Sequence, residues 1–337
     1  MISNAAGYYL WPPVWVGSRA PTPITHETVT LLGEEVFRTT LTAGISVKVL
    51  RGGMFLFDFT VWPQGKALPE GTESNFDESA KVVLHRVAVL NAHLACLYTA
   101  LGHLQGFCHD KMALSPGDLI ASKSLDEKGI GFGDARTVWM ALAKYPGTYA
   151  AGLPIEFDLR MSFRTLVIDI PTVKGSFELL DSILRHHAPH ALLIADLHTR
   201  SCKAYEDHNY ALCLITAWAI IERLLQTLWR RYLDERREEQ IGGTTVTFIN
   251  ANRKSRLTES RDFTASVISE ILSLTERLPF SLYGDLLKIR KVRNDWIHDL
   301  EPVSRETAAL AIQTSEEMLS LVEGLRLKVP LSSRISG

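Results

Sequence analysis

Apolar positions change rhythm along this chain, and each change predicts a different kind of element. Over 28–32, 36–41, 45–50 and 54–61 the residues are rich in β-branched and aromatic side chains, and Gly33, Gly44 and the Gly52-Gly53 pair separate the runs. Short strands punctuated by turn glycines predict an antiparallel meander. From Asp77 to about Gln105 the spacing lengthens: Val83, Val87, Leu90, Leu94, Leu97 and Leu101 recur every three or four residues, as on one face of a helix. Capping residues and acidic first-turn charge over 75–78 support a helix start there. The stretch 112–152 is irregular except for a short helix at 135–144. Two further strands are predicted at 154–159 and 164–170, then a helix over 176–187.

Beyond Pro189 the strand signal nearly vanishes. Pro189 suits a first helical turn, and Leu192, Leu193, Leu197 and Ala204 form an apolar stripe. A second helix is predicted from Tyr210 to Glu239, capped by Asn209 and ended by Gly242-Gly243. A polar segment follows, carrying Arg253, Lys254, Arg256 and Arg261 as a basic loop. Three more helices are expected over 265–278, 281–300 and 304–325, with Pro279, Pro302 and Gly324 at their ends. The expected fold is therefore an α+β N-terminal domain, 1–187, followed by an all-α C-terminal helical bundle, 188–330.

Composition narrows the class. Hydrophobic residues make up 46% of the chain and charged residues 22%, a balance that fits a globular protein and excludes a disordered or fibrous one. A formal net charge of −2 gives no global sign of nucleic-acid binding, although basic residues slightly outnumber acidic ones from Arg185 onward. Cys96, Cys108, Cys202 and Cys213 form no CxxC pair and read as reduced thiols. The N-terminus lacks a basic region and is broken by Pro12-Pro13, and the longest apolar run, 211–221, is far short of the roughly 20 residues that span a bilayer. A cytoplasmic protein without membrane association is expected.

The predicted helix over 281–300 holds the most specific chemistry. Around Arg293, the apolar residues Leu286, Ile289, Trp296, Ile297 and Leu300 fall at helical offsets that put the guanidinium on an apolar face, where it is costly unless paired. Arg290, Asn294 and His298 follow one another at intervals of one turn on a neighbouring stripe. The 210–239 helix carries a matching oddity. Glu222 interrupts an almost wholly apolar segment, and a buried carboxylate wants a cation. The expected solution is a Glu222–Arg293 ion pair.

The residues R-N-D-W-I-H, Arg293 to His298, match the R-x4-6-H motif of the HEPN superfamily, including the Asn that often follows its Arg. The segment 195–225, with a Tyr-containing turn leading into a long apolar helix bearing Glu222, also resembles the first two helices of such domains. The resemblance covers roughly 189–325 and is nearest to the Apea-like branch. It implies a metal-independent endoribonuclease, often a toxin or antiviral-defence effector, with its active site at a homodimer interface and no cofactor. In that reading Arg293, Asn294 and His298 are catalytic and Glu222 holds Arg293. Arg290, Lys291, Arg253, Lys254 and Arg256 guide the RNA backbone, and the N-terminal domain regulates, in response to a trigger or an antitoxin partner. The competing expectation is a catalytically silent HEPN module for dimerisation or nucleotide binding, with function carried by the N-terminal domain.

Other signals are weaker. His93, Cys96, His103, Cys108 and His109 have ligand chemistry, yet their spacing matches no zinc module, so core or surface positions are expected and no metal site. Gly129, Gly131 and Gly133 have no strand before them and no Lys-Ser/Thr after, which predicts a loop rather than a phosphate cradle. His186, His187 and His190 flank Pro189 as a linker.

Overall fold

The computed structural model describes residues 4–10, 14–18, 31, 33–66, 76–102, 111–122, 124–126, 167–186, 190–259 and 262–331. The chain divides after Thr199 into two compact units. The expected strands at 28–32 and 154–159, the helix at 135–144, the Gly129–Gly133 loop, and His103, Cys108, His109, His187 and Arg261 fall wholly or mainly outside the described residues.

The first unit is an α+β structure. Its meander comprises β3 (Glu35–Thr40), β4 (Ser46–Leu50) and β5 (Met54–Asp58), all antiparallel as the alternation predicted. The sheet continues past β5 through β1 (Ala5–Tyr9) to β6 (Ile120–Ser122), giving the order β3-β4-β5-β1-β6. A separate parallel pair joins β2 (Trp15–Val16) to β7 (Val167–Ile168). β1 is fully buried, and space dictates its glycine: a Cβ on Gly7 would lie 2.2 Å from the Phe55 carbonyl oxygen.

Two helices cover this sheet. The predicted amphipathic helix is α1 (Phe76–Leu101). Its partner α2 (Ile170–Arg185) begins six residues before the expected 176. Asp169 caps it by accepting from the Thr172 N–H at 2.7 Å, and a proline occupies its first turn, so local capping overrides the β-branched run that predicted a strand through 170.

One polar pin lies at the centre. Asn91 is fully buried on α1; its Nδ2 donates to the Leu114 carbonyl at 3.1 Å and to Asp196 Oδ1 at 2.6 Å, and its Oδ1 accepts from the Leu114 N–H at 2.7 Å. Asn91→Ala strands both backbone groups of Leu114 in the interior. The expected loss is about 3 kcal/mol of unfolding free energy by urea titration; a change within about 0.5 kcal/mol would show that water replaces the amide.

α3 (Ala191–Glu206) spans the division between the units. The second unit is mainly helical. Its central element is α4 (Tyr210–Glu235), capped by Asn209 and packed chiefly against α8 (Arg305–Glu323). α6 (Ala265–Leu274) and α7 (Phe280–Asp299) complete the bundle. Arg231 ties α4 to the end of α8 through Glu323 Oε2 at 2.9 Å.

Two features depart from the expected bundle. α4 stops at Glu235, and Gly242-Gly243 does not end it. Those glycines, at φ 59° and 81°, form the two-residue loop of a hairpin, β8 (Glu238–Ile241) with β9 (Thr244–Thr247). All eight strand residues are exposed. The expected basic loop is a helix, α5 (Ala251–Glu259), started by Asn250 accepting from the Arg253 N–H at 2.9 Å. It buries no residue, so it has no apolar stripe by which to be recognised.

By length and composition α1 from Asp77 and α4 are both long and apolar enough to cross a membrane, although neither holds an unbroken apolar run of that length. In the fold 78% of the α1 window is buried but only 44% of the α4 window, so α1 serves as a core helix and α4 keeps a partly open face.

Candidate active site on helix α7

α7 inserts Leu282, Leu286 and Ile289 into the bundle, and Ile289 is fully buried. Arg293 continues that stripe one turn on and is half-buried. The apolar face then opens. Trp296 is half-buried, while Ile297 and Leu300, expected to continue the buried face, are exposed. The physical reason is the helix end. Leu300 adopts a left-handed conformation, φ 56°, and its N–H closes the last turn on the Trp296 carbonyl. This stop leaves the motif at the rim of the bundle.

Arg293 and Asn294 are brought together: Nη1 of the arginine donates to Asn294 Oδ1 at 3.0 Å. Arg293 Nε is shielded from solvent and has no hydrogen-bond acceptor among the described residues. A buried N–H left unsatisfied costs about 1–3 kcal/mol, and Trp218 Nε1 and Arg223 Nε in the same unit share this feature. His298 is exposed in the last turn, four residues beyond Asn294 and therefore on the same stripe.

The expected Glu222–Arg293 ion pair does not form: among the described residues no salt bridge within 4.0 Å involves either side chain. Glu222 is only half-buried, because the partly open face of α4 leaves its carboxylate access to water. Glu222→Gln should therefore move the melting free energy by less than about 0.5 kcal/mol, within the range of surface changes; a loss above about 2 kcal/mol would restore the buried-pair view.

The expected RNA-guiding residues divide into two groups. On α7, Lys291 is paired with Asp295 at 2.6 Å, an interaction that raises the lysine pKa, and Arg290 is half-buried. On α5, Lys254 pairs with Asp234, while Arg253 and Arg256 are exposed and make no ion pair among the described residues. No hydrogen bond or salt bridge joins the α5 cations to Arg293 or His298.

Sequence reasoning missed a second polar cluster, in the first unit. His93 is fully buried, with Nδ1 2.7 Å from the Tyr8 hydroxyl and Nε2 3.1 Å from Ser176 Oγ. Ser176 donates to the Val173 carbonyl, so it accepts from His93 Nε2–H, and Tyr8 donates to Nδ1. The ring stacks on Phe177 at 4.2 Å between Phe55 and Phe57. Desolvation pushes its pKa down to about 3. Its partners come from β1, β5 and α2, a juxtaposition that spacing within α1 alone does not reveal. Cys96 is likewise core, its thiol pKa raised by burial. Among the described residues, no three His, Cys, Asp or Glu side chains assemble as a metal site.

No known protein family, curated protein or solved structure matches this chain.

Proposed function

We propose that the chain is a metal-independent endoribonuclease of HEPN type, acting as a toxin-like effector from a homodimer. The observation that carries this reading is Arg293: its guanidinium is held at the rim of the bundle on Asn294, whose stripe ends at exposed His298. The helical surroundings and the R-N-x3-H spacing support the HEPN assignment.

In the proposed reaction the RNA 2′-oxygen attacks the adjacent phosphorus as the bond to the 5′-oxygen breaks, leaving a cyclic phosphate and a free 5′-hydroxyl. One histidine takes the 2′-OH proton and a second protonates the departing oxygen. Histidine, with a reference pKa near 6.5, suits either task. Each chain offers one histidine in the motif, so a two-fold dimer supplies the pair. Arg293 neutralises the pentacoordinate phosphorus through a charged, planar donor set, and Asn294 fixes its orientation. Exposed Ile297 and Leu300 beside His298 provide apolar surface for the second copy.

The test is RNA integrity and growth in cells expressing wild type, Arg293→Ala or His298→Ala, with melts of the purified proteins. Fragmented RNA restored to intact by either substitution, at unchanged stability, is the expected result. Intact RNA with the wild-type protein present at comparable levels would overturn the reading.

A further inference from the structure

A cleft of about 610 Å³ opens beside α5, lined by Asn250, Arg253, Arg256, Leu257, Asp262 and Phe263. Its size falls within the about 300–1,000 Å³ of small-molecule sites. One wall is the end of an aromatic stack. Tyr232 and Phe263 flank Trp229 at centroid distances of 5.6 and 5.7 Å, both tilted by 21°. Trp229 is buried, and its indole N–H donates to the Leu257 carbonyl at 2.9 Å, which fixes the stack to α5. Phe263 is only half-buried and belongs to the cleft lining.

The opposite chemistry comes from α5. Arg253 is steadied by donating to the Phe248 carbonyl at 2.9 Å, and Arg256 lies one turn further along the helix. Against these two guanidinium groups the lining holds one acid, Asp262. A flat apolar ring beside two cations with no ion-pair partner among the described residues matches a ligand with a planar aromatic part and an attached anion.

We propose that this cleft binds a nucleotide, its base stacked on Phe263 as a further ring of the aromatic pile and its phosphate held by Arg253 and Arg256. The ligand can be a free mononucleotide or one unit of a single-stranded RNA. The RNA source rests on the ribonuclease reading; the free nucleotide does not.

The experiment uses the full chain carrying His298→Ala, so that binding is read without cleavage. AMP and inorganic phosphate are titrated by calorimetry, and a short fluorescein-labelled single-stranded RNA by anisotropy. AMP is expected to bind more tightly than phosphate. Its affinity should fall about tenfold or more in Phe263→Leu and in the Arg253→Gln/Arg256→Gln double variant, as loss of one base stack or of phosphate contacts predicts. Phe263→Tyr, which keeps a ring face, should retain binding and separates a stacking role from a packing one. RNA binding that weakens in the same variants and is competed by AMP identifies the strand as the source; AMP binding without RNA binding identifies the free nucleotide. AMP binding that is absent, no tighter than phosphate, or insensitive to these substitutions overturns the proposal. Cleavage of RNA by the wild-type protein is scored separately, so the two proposals can fail independently.

Discussion

His298→Ala should reduce RNA cleavage in EDTA by about 10²–10⁴-fold, the contribution of one positioned proton-transfer group. Arg293→Ala should reduce it by about 10²–10³-fold, the worth of one donor that stabilises transition-state charge in comparable sites. The two substitutions differ in their structural side effects. His298 is exposed and makes no described contact, so its removal should leave the melt unchanged. Arg293 carries a buried, unsatisfied N–H, so its removal should leave stability unchanged or raise it slightly. A loss of activity from Arg293→Ala accompanied by marked destabilisation would point to a structural arginine. Mixing the two inactive proteins offers a finer check. If a site takes its arginine from one copy and its histidine from the other, mixed dimers regain one complete set and part of the activity; if both come from one copy, neither site is whole and activity stays absent.

The second large effect is on acid stability, through His93. With its pKa held down to about 3 in the fold, against the ordinary 6.5, the unfolded chain binds a proton that the folded chain refuses. The contribution is fully present above the unfolded value and is lost as pH falls from about 6.5 toward the folded one. At pH 5 the expected loss is about 2 kcal/mol relative to neutral pH. His93→Gln retains hydrogen-bonding capacity toward Tyr8 and Ser176 but does not titrate. Its stability is lower at neutral pH, and its curve should be flatter between about pH 5 and 6.5. Equal slopes for the two proteins in urea titrations would show that the imidazole is not the acid-sensitive element.

Much of the helical architecture was legible because its signals are local. The spacing from Val83 to Leu101 gave α1 within a few residues, and Asn209, Ser304 and Gly324 marked the limits of α4 and α8. β1 was not legible, because Ala5, Ala6 and Gly7 are poor strand residues, placed here by pairing with β5 across the sheet. The hairpin was written in the sequence, in Gly242-Gly243 followed by the β-branched TTVT run, but the strong helix before it drew the boundary too far. In the site, the Arg293–Asn294 hydrogen bond was not anticipated, because the expected partner of the guanidinium was Glu222. The Glu222 pairing failed because a helical wheel fixes a side chain's direction around its own axis and says nothing of what faces it from another helix.

The exposed hairpin has one more consequence. Every residue of β8 and β9 faces water, and an added Cβ at Gly242 or Gly243 would meet no atom within 4 Å. Folding therefore draws almost nothing from this excursion, and its length is free to vary without disturbing the packing of α4. The natural place to break the chain and graft a reporter peptide onto this protein is the bond between those two glycines, where the graft stays visible from outside.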